Sequence, residues 1–285
     1  MTEKANNHIP AVSIGMPVYN GENYIREALD SLLIQSFTNF ELIISDNSST
    51  DNTQEICQTY ATKDSRIKYI RQQKNIGVAL NFEFVLNMAQ AEYFTWAASD
   101  DFWSENWIEL LYNIASKHQN VAAFGKVITV DKGSQKLMHI ATGQNYNFIG
   151  MKFFRRIIFF IFPENMGKAN VIYGVYSTEV LKKLNILSYN YDYILIFDLL
   201  NYLEIKSFSD TFLFKRLHDE AVGNQPRITN PYRKRFEKFV PINLSLLKEY
   251  LLHSNFLEKL LIIVLLPIKL LLVYISLIKI KMSKF

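Results

Sequence analysis

The chain is short of cysteine: Cys57 is the only one in 285 residues. A lone cysteine excludes an internal disulfide and a cysteine-based metal centre, and it fits a reducing compartment. An apolar leader is lacking too, since Met1 to Pro10 is polar and does not read as a signal peptide. Excess charge is small. Lys and Arg number 31 against 27 Asp and Glu, and a net +4 argues against a dedicated nucleic-acid binder. No internal repeat or low-complexity tract is found.

Apolar and aromatic residues are plentiful, at 49% and 14%, enough for one large domain or a domain with an appendage. The basic residues are uneven. Lys215, Arg216, Arg227, Arg233, Lys234, Arg235 and Lys238 fall in one stretch, and Lys269, Lys279, Lys281 and Lys284 punctuate an apolar tail. Basic charge beside apolar helices points to an anionic membrane surface or to phosphates.

Strand and helix patterns alternate along the first hundred residues. Val12–Val18, Phe40–Ser45, Ile67–Ile70 and Tyr93–Ala97 read as short apolar strands. Between them Glu22–Gln35, Thr53–Lys63 and Asn75–Ala89 carry helical spacing. This alternation predicts an α/β fold with a mostly parallel central sheet and helices on both faces. The later chain is less regular. Val121–Asp131, Ala169–Ser177 and Thr211–Leu217 read as strands, and Ile149–Phe162, Thr178–Leu184 and Ile194–Leu203 as helices.

The tail from Phe256 to Ile280 is almost wholly apolar. Its uncharged runs, Leu260–Ile268 and Leu270–Ile278, are each too short to span a bilayer, and Pro267 and Lys269 interrupt the middle. An in-plane or re-entrant helical pair with snorkelling lysines is expected, and packing on the globular part or on a second subunit is the alternative. The expected division is a disordered 1–10, a catalytic domain over 11–222 and a membrane-associating helical region over 223–285.

Ligands of parallel sheets bind beyond the carboxyl ends of the strands. Pro17-Val18-Tyr19-Asn20, Asp46 and Asp100-Asp101 all fall at such ends. Adjacent carboxylates repel unless a positive group sits with them, and a divalent cation carrying a diphosphate would serve. The bland alternatives are a solvated Asp-Asp turn, a core tyrosine for Tyr19 and an N-cap for Asp46.

Four motifs in order, Pro17-Val18-Tyr19-Asn20, Ile44 to Asp51, Asn75-Ile76-Gly77 and Ser99-Asp100-Asp101, resemble glycosyltransferase family 2 over roughly residues 11–220. The resemblance implies a GT-A fold, a nucleotide-diphosphate sugar donor, and Mn²⁺ or Mg²⁺. It implies that Pro17, Tyr19, Asn20, Asn75 and Gly77 line the donor site, with Tyr19 stacked on the base. Asp46 would accept a hydrogen bond from the base, Asp100 would face the ribose or the metal's water shell, and Asp101 would ligate the metal. Arg216 and His218, in Lys215-Arg216-Leu217-His218, would reach the diphosphate and its metal. Two departures stand out: Ser45 precedes Asp46 where the family often has a second Asp, and Ala98-Ser99-Asp100-Asp101 has one carboxylate fewer than usual.

Inverting transfer needs a general base for the acceptor hydroxyl. Asp198 is the expected base, after Phe197 in place of the family's first acidic residue, and Asp192 is its rival. The implied activity is sugar transfer to a glycan or lipid-linked acceptor in surface polysaccharide assembly. The expected location is cytoplasmic, peripheral at the inner face of the cell membrane. A nucleotidyltransferase would carry a Gly-rich basic loop after the first strand, which Pro17 to Gly21 is not. A non-catalytic membrane partner on the same fold would have been favoured by loss of Asp101.

Overall fold

A computed structural model describes residues 9–118, 120–188, 192–217 and 244–282. In chain order the elements are β1 (Val12–Val18), α1 (Ile25–Leu33), β2 (Phe40–Asp46), α2 (Thr53–Lys63), β3 (Ile67–Arg71), α3 (Val78–Met88), β4 (Tyr93–Trp96), β5 (Phe102–Trp103) and α4 (Trp107–Lys117). There follow β6 (Val121–Val130), α5 (Lys152–Ile161), β7 (Tyr176–Ser177), α6 (Thr178–Lys182), α7 (Asp192–Leu199), β8 (Glu204–Arg216), α8 (Leu244–Leu252) and α9 (Phe256–Met282). Contacts divide the described chain into two compact units that interleave in sequence. The first takes the residues up to 118 and Tyr173–Leu187, and the second takes Asn120–Ile172 and the residues from Ser188 onward.

The first unit is a five-stranded sheet in the order β3-β2-β1-β4-β7. Its first four strands are parallel, and β7 runs antiparallel to β4. β1 and β2 are buried along almost their whole length, as strands covered on both faces must be, and their residues are accordingly apolar runs rather than alternations. Gly15 is needed at the centre of β1. A Cβ there would stand 2.6 Å from Phe94 Cζ and 2.8 Å from Val85 Cγ2, so glycine lets α3 close on the sheet. At the other end of the strands Glu41 is buried and neutralised, accepting from Ser13 Oγ at 2.6 Å and from Lys68 Nζ at 2.7 Å.

In the second unit β6 and β8 pair in parallel. Beside them α5, α7, α8 and α9 pack around buried charge. Arg156 Nε reaches Glu258 at 2.8 Å, and its Nη1 reaches Asp198 at 3.3 Å, over the ring of Phe197.

Two expectations fail here. Ala169–Ser177 is not one strand: Lys168–Tyr173 is 3₁₀ helix and only Tyr176–Ser177 is extended. The cause is Lys168, whose buried ammonium bonds the carbonyls of Phe159 and Phe162 at 2.6 Å each and winds the chain under the end of α5. The apolar tail is not a helical pair either. α9 runs unbroken through Pro267, which removes one backbone donor. Two residues later Lys269 is tied to the Phe160 carbonyl and to Glu164 Oε1, which anchors the helix to the end of α5.

Candidate active site

Because β1 to β4 are parallel, their carboxyl ends share one edge of the sheet. Register places Val18 opposite Asp46 and Asp46 opposite Arg71. Ala97 N bonds Gly15 O at 2.9 Å and so fixes the end of β4 beside β1. The loops that follow these four ends carry all four sequence motifs, and hydrogen bonds join three of them.

Asp46 is the hub. Its carboxylate is fully buried, and three groups donate to it: Ser49 N to Oδ1 at 2.8 Å, Tyr69 Oη to Oδ2 at 2.7 Å and Arg71 Nη1 to Oδ2 at 2.8 Å. Arg71 Nη2 also donates to Ser49 O at 2.8 Å. These bonds hold the loop 46–51 in a tight form in which Ser48 adopts φ 63, a left-handed conformation that costs a serine more than a glycine. Burial, with the hydrogen bond to Asp46 next in weight, pushes the Tyr69 phenol well above its usual range. It remains a donor at any working pH. In this structure the Asp46 carboxylate holds the loop.

From this hub the network reaches both neighbours. Asn47 Oδ1 accepts from Ile76 N at 2.8 Å and Asn47 Nδ2 donates to Asn75 Oδ1 at 3.0 Å, clamping Asn75-Ile76-Gly77 onto β2. Gly77 has φ 86, so this turn requires a residue free of Cβ strain, and α3 starts from it. On the other side Asn20 N donates to Ser49 Oγ at 2.9 Å and Thr50 N to Asn20 Oδ1 at 2.8 Å. Gly21 N and Glu22 N bond Thr53 Oγ1 and Asp51 Oδ2 at 2.8 and 3.0 Å. Pro17, one residue before the end of β1, is half-buried, and Tyr19 is 49% exposed, open to a flat apolar partner. Ser45, where a second carboxylate was missing, instead bonds Asn81 Oδ1 at 2.6 Å and accepts from Gln72 Nε2 at 3.0 Å.

The two carboxylates of the Asp pair differ in exposure: Asp101 is 1% exposed, whereas Asp100 is part-exposed just beyond β4. Among the described residues no three His, Cys, Asp or Glu side chains gather to make a metal cage.

The second unit holds the other expected residues. Asp198 lies on α7 within hydrogen-bond reach of Arg156 and, at 2.5 Å, of His253 Nδ1. Asp192 opens the same helix and is exposed. Arg216 is 1% exposed, and its Nη1 donates to Asp131 O, Lys132 O and Ser134 Oγ at 3.0–3.1 Å, closing the turn after β6. His218 lies outside the described residues.

Sequence reasoning missed Tyr69, Arg71 and Asn47. The signal for Arg71 was its place at the end of a strand beside one that ends in Asp, a cross-strand pair that only register reveals.

The family model for glycosyl transferase family 2 matches residues 13–182. The chain belongs to that family. An uncharacterized glycosyltransferase of Rickettsia typhi is 30% identical over 227 residues, covering 78% of this chain and 68% of the relative. The glycosyltransferase GlyG of Streptococcus pneumoniae is 31% identical over 135 residues, 47% of this chain and 45% of GlyG, so this chain spans less than half of that protein. Among solved structures, S. aureus TarS residues 1–349 in complex with UDP-GlcNAc aligns over 88% of this chain and 69% of its own, with TM-score 0.63 and 21% identity. The UDP complex of the same fragment gives TM-score 0.57 and 22% identity over 73% of this chain and 61% of its own. At such identity the likeness is one of fold, and it supports the GT-A reading of this α/β chain as a glycosyltransferase.

Proposed function

We propose that this glycosyltransferase moves a sugar, with inversion, from a nucleoside-diphosphate donor to a hydroxyl of a glycan or lipid-linked acceptor in surface polysaccharide assembly. The observation that carries the donor half is the joined set of loops at the carboxyl ends of β1, β2 and β3, with Asp100 beyond β4, in a member of this family. Tyr19 offers its exposed ring to the base. Asp46 acts as a positioning residue, since its three bonds hold the loops that Asn20, Asn75 and Gly77 belong to. The TarS complexes make uridine donors the first to try.

Mn²⁺ or Mg²⁺ fits Asp100 as a part-exposed carboxylate that would share the ion with donor phosphates, the usual arrangement for such cations. When bound, the ion would neutralise charge on the departing diphosphate. Asp101, buried behind it, supports that strand end.

For the acceptor's general base we favour Asp192 over Asp198. Asp192 is exposed at the first turn of α7, while Asp198 is held by Arg156 and His253. An exposed carboxylate at a helix start can be reached by an acceptor hydroxyl, as a general base must be. Asp192→Asn should lower kcat by about 10²- to 10⁴-fold with the fold intact. Asp198→Asn should act through stability instead.

We also place the enzyme at the inner face of the cell membrane, held by α9. The experiment is a thermal-shift panel of uridine, guanosine and deoxythymidine diphosphate sugars with Mn²⁺, followed by turnover of any ligand that stabilises the chain. Stabilisation by at least one sugar nucleotide, lost in Asp100→Ala, is expected. No shift with any donor would overturn the reading.

A further inference from the structure

α9 is inside out for a helix in water. Its buried stripe is Glu258, Ile262, Lys269, Val273 and Ser276, spaced three, four or seven residues apart, and three of the five are polar. Its outward positions are apolar: Leu260, Ile263, Val264, Leu271, Tyr274 and Ile278 are 42–60% exposed. Helix α5 adds to that surface: it buries Arg155 and Arg156 together with Ile157, Phe159 and Phe160, yet leaves Phe154 and Ile158 exposed. Water would select the opposite arrangement in α9.

The segment Phe256–Lys279 is long and apolar enough to cross a bilayer. Its attachments argue for another orientation. Glu258 holds Arg156, Lys269 holds Phe160 O and Glu164, and Ser276 holds Asn165 at 2.9 Å. From Glu258 to Ser276 is 18 residues, about 27 Å of helix. A spanning α9 would carry Arg156, Glu164, Asn165 and their partners Asp198 and His253 into hydrocarbon, where charges and unpaired polar groups are costly.

We propose that α9 lies in the plane of an anionic membrane surface, its outer face sunk to the headgroup–acyl boundary and its polar stripe turned toward the protein. The charges on these helices fit that surface. Lys152, Lys248, Lys259 and Lys279 are exposed, and Glu258 is buried against Arg156. Glu249, part-exposed, has His253 Nε2 within 4.0 Å. A lysine-rimmed apolar face attracts anionic lipid, whereas the same face on a second copy would present like charge.

This inference rests on the membrane placement proposed above and is independent of the sugar chemistry. The test uses the full chain with vesicles of phosphatidylcholine alone or mixed with phosphatidylglycerol. Flotation should require phosphatidylglycerol, weaken with salt, and fall about tenfold or more in Ile263→Glu and in Leu271→Glu. Depth is read with an environment-sensitive fluorophore on Leu260→Cys, Ile263→Cys, Leu271→Cys and Ile278→Cys, quenched by labelled lipids. Equal shallow depth at all four sites is expected. Deepest burial at Ile263 and Leu271 with shallow ends would mean a span and would overturn the in-plane reading while leaving membrane binding intact. Absence of flotation, with a dimer in sedimentation that Ile263→Glu dissolves, would overturn both and assign the face to a second copy.

Discussion

Replacing Asp46 by Asn tests the role assigned to it, because every partner of the carboxylate is a donor. Ser49 N faces Oδ1, and Tyr69 Oη and Arg71 Nη1 face Oδ2. An amide has one acceptor oxygen and one donor nitrogen. Set with its NH₂ toward Ser49, the Asn leaves a buried backbone N–H unpaired. Set the other way, it points a donor at the Arg71 guanidinium. The cheaper choice loses one buried hydrogen bond, about 1–3 kcal/mol. At roughly 2–4 °C per kcal/mol for a chain of this class, Tm should fall by about 2–12 °C, beyond whatever the lost charge pair with Arg71 adds. Tyr69→Phe deletes a single donor to the same carboxylate and should lower Tm by less, about 1 kcal/mol. Both variants loosen the loops, so both should raise the KM for the donor and leave kcat nearly unchanged. Differential scanning calorimetry with donor kinetics on the two variants decides the matter. If Asp46→Asn keeps the wild-type Tm and loses donor binding while Tyr69→Phe is silent, Asp46 reads the base directly and the positioning argument is wrong.

Other outcomes follow from the same structure. Arg156→Met should cost about 3–5 kcal/mol in denaturant unfolding, because Glu258 and Asp198 would keep charge in a nearly dry site without their guanidinium. Burial first, then the charges of Asp46 and Asp51, push the Cys57 thiol up to about 12. Native protein at pH 8 should ignore thiol reagents and react only on unfolding, which also leaves introduced cysteines on α9 as the only labelled sites. For Asp51, burial raises the carboxyl pKa, but hydrogen bonds from Thr53 and the backbone N–H groups of Glu22 and Thr53 outweigh it, and the net shift is downward from 3.8. Its contribution is thus fully present above pH 3.8 and lost as pH falls through the lowered value; Asp51→Asn should flatten that acid limb of the stability curve.

What was legible in the sequence was what period and local chemistry encode. Val12–Val18 and Thr53–Lys63 fall where the patterns place them, because a strand buried on both faces and a helix between polar loops leave little choice. The shared edge of the four motifs was legible because the strands that carry them are parallel, which brings their ends together. Long-range partners were not legible. Nothing local in Tyr69 or Arg71 says that they belong to Asp46, and nothing in the adjacent Asp100 and Asp101 says which is buried. The reading of the tail shows the same limit most clearly. In sequence, Pro267 and Lys269 look like interruptions of an apolar helix, and both argue for a break. In the structure the helix continues through both, and Lys269 is bonded on its buried side. Its ammonium meets the carbonyl of Phe160 at the end of α5, where a helix presents unpaired acceptors, and the carboxylate of Glu164, 105 residues away in the chain. A charge in an apolar run is costly only when nothing answers it. Here both partners come from the protein, and the opposite side of the same helix is left exposed and largely apolar. If α9 meets lipid as proposed, the lysine that seemed to forbid it decides which face does so.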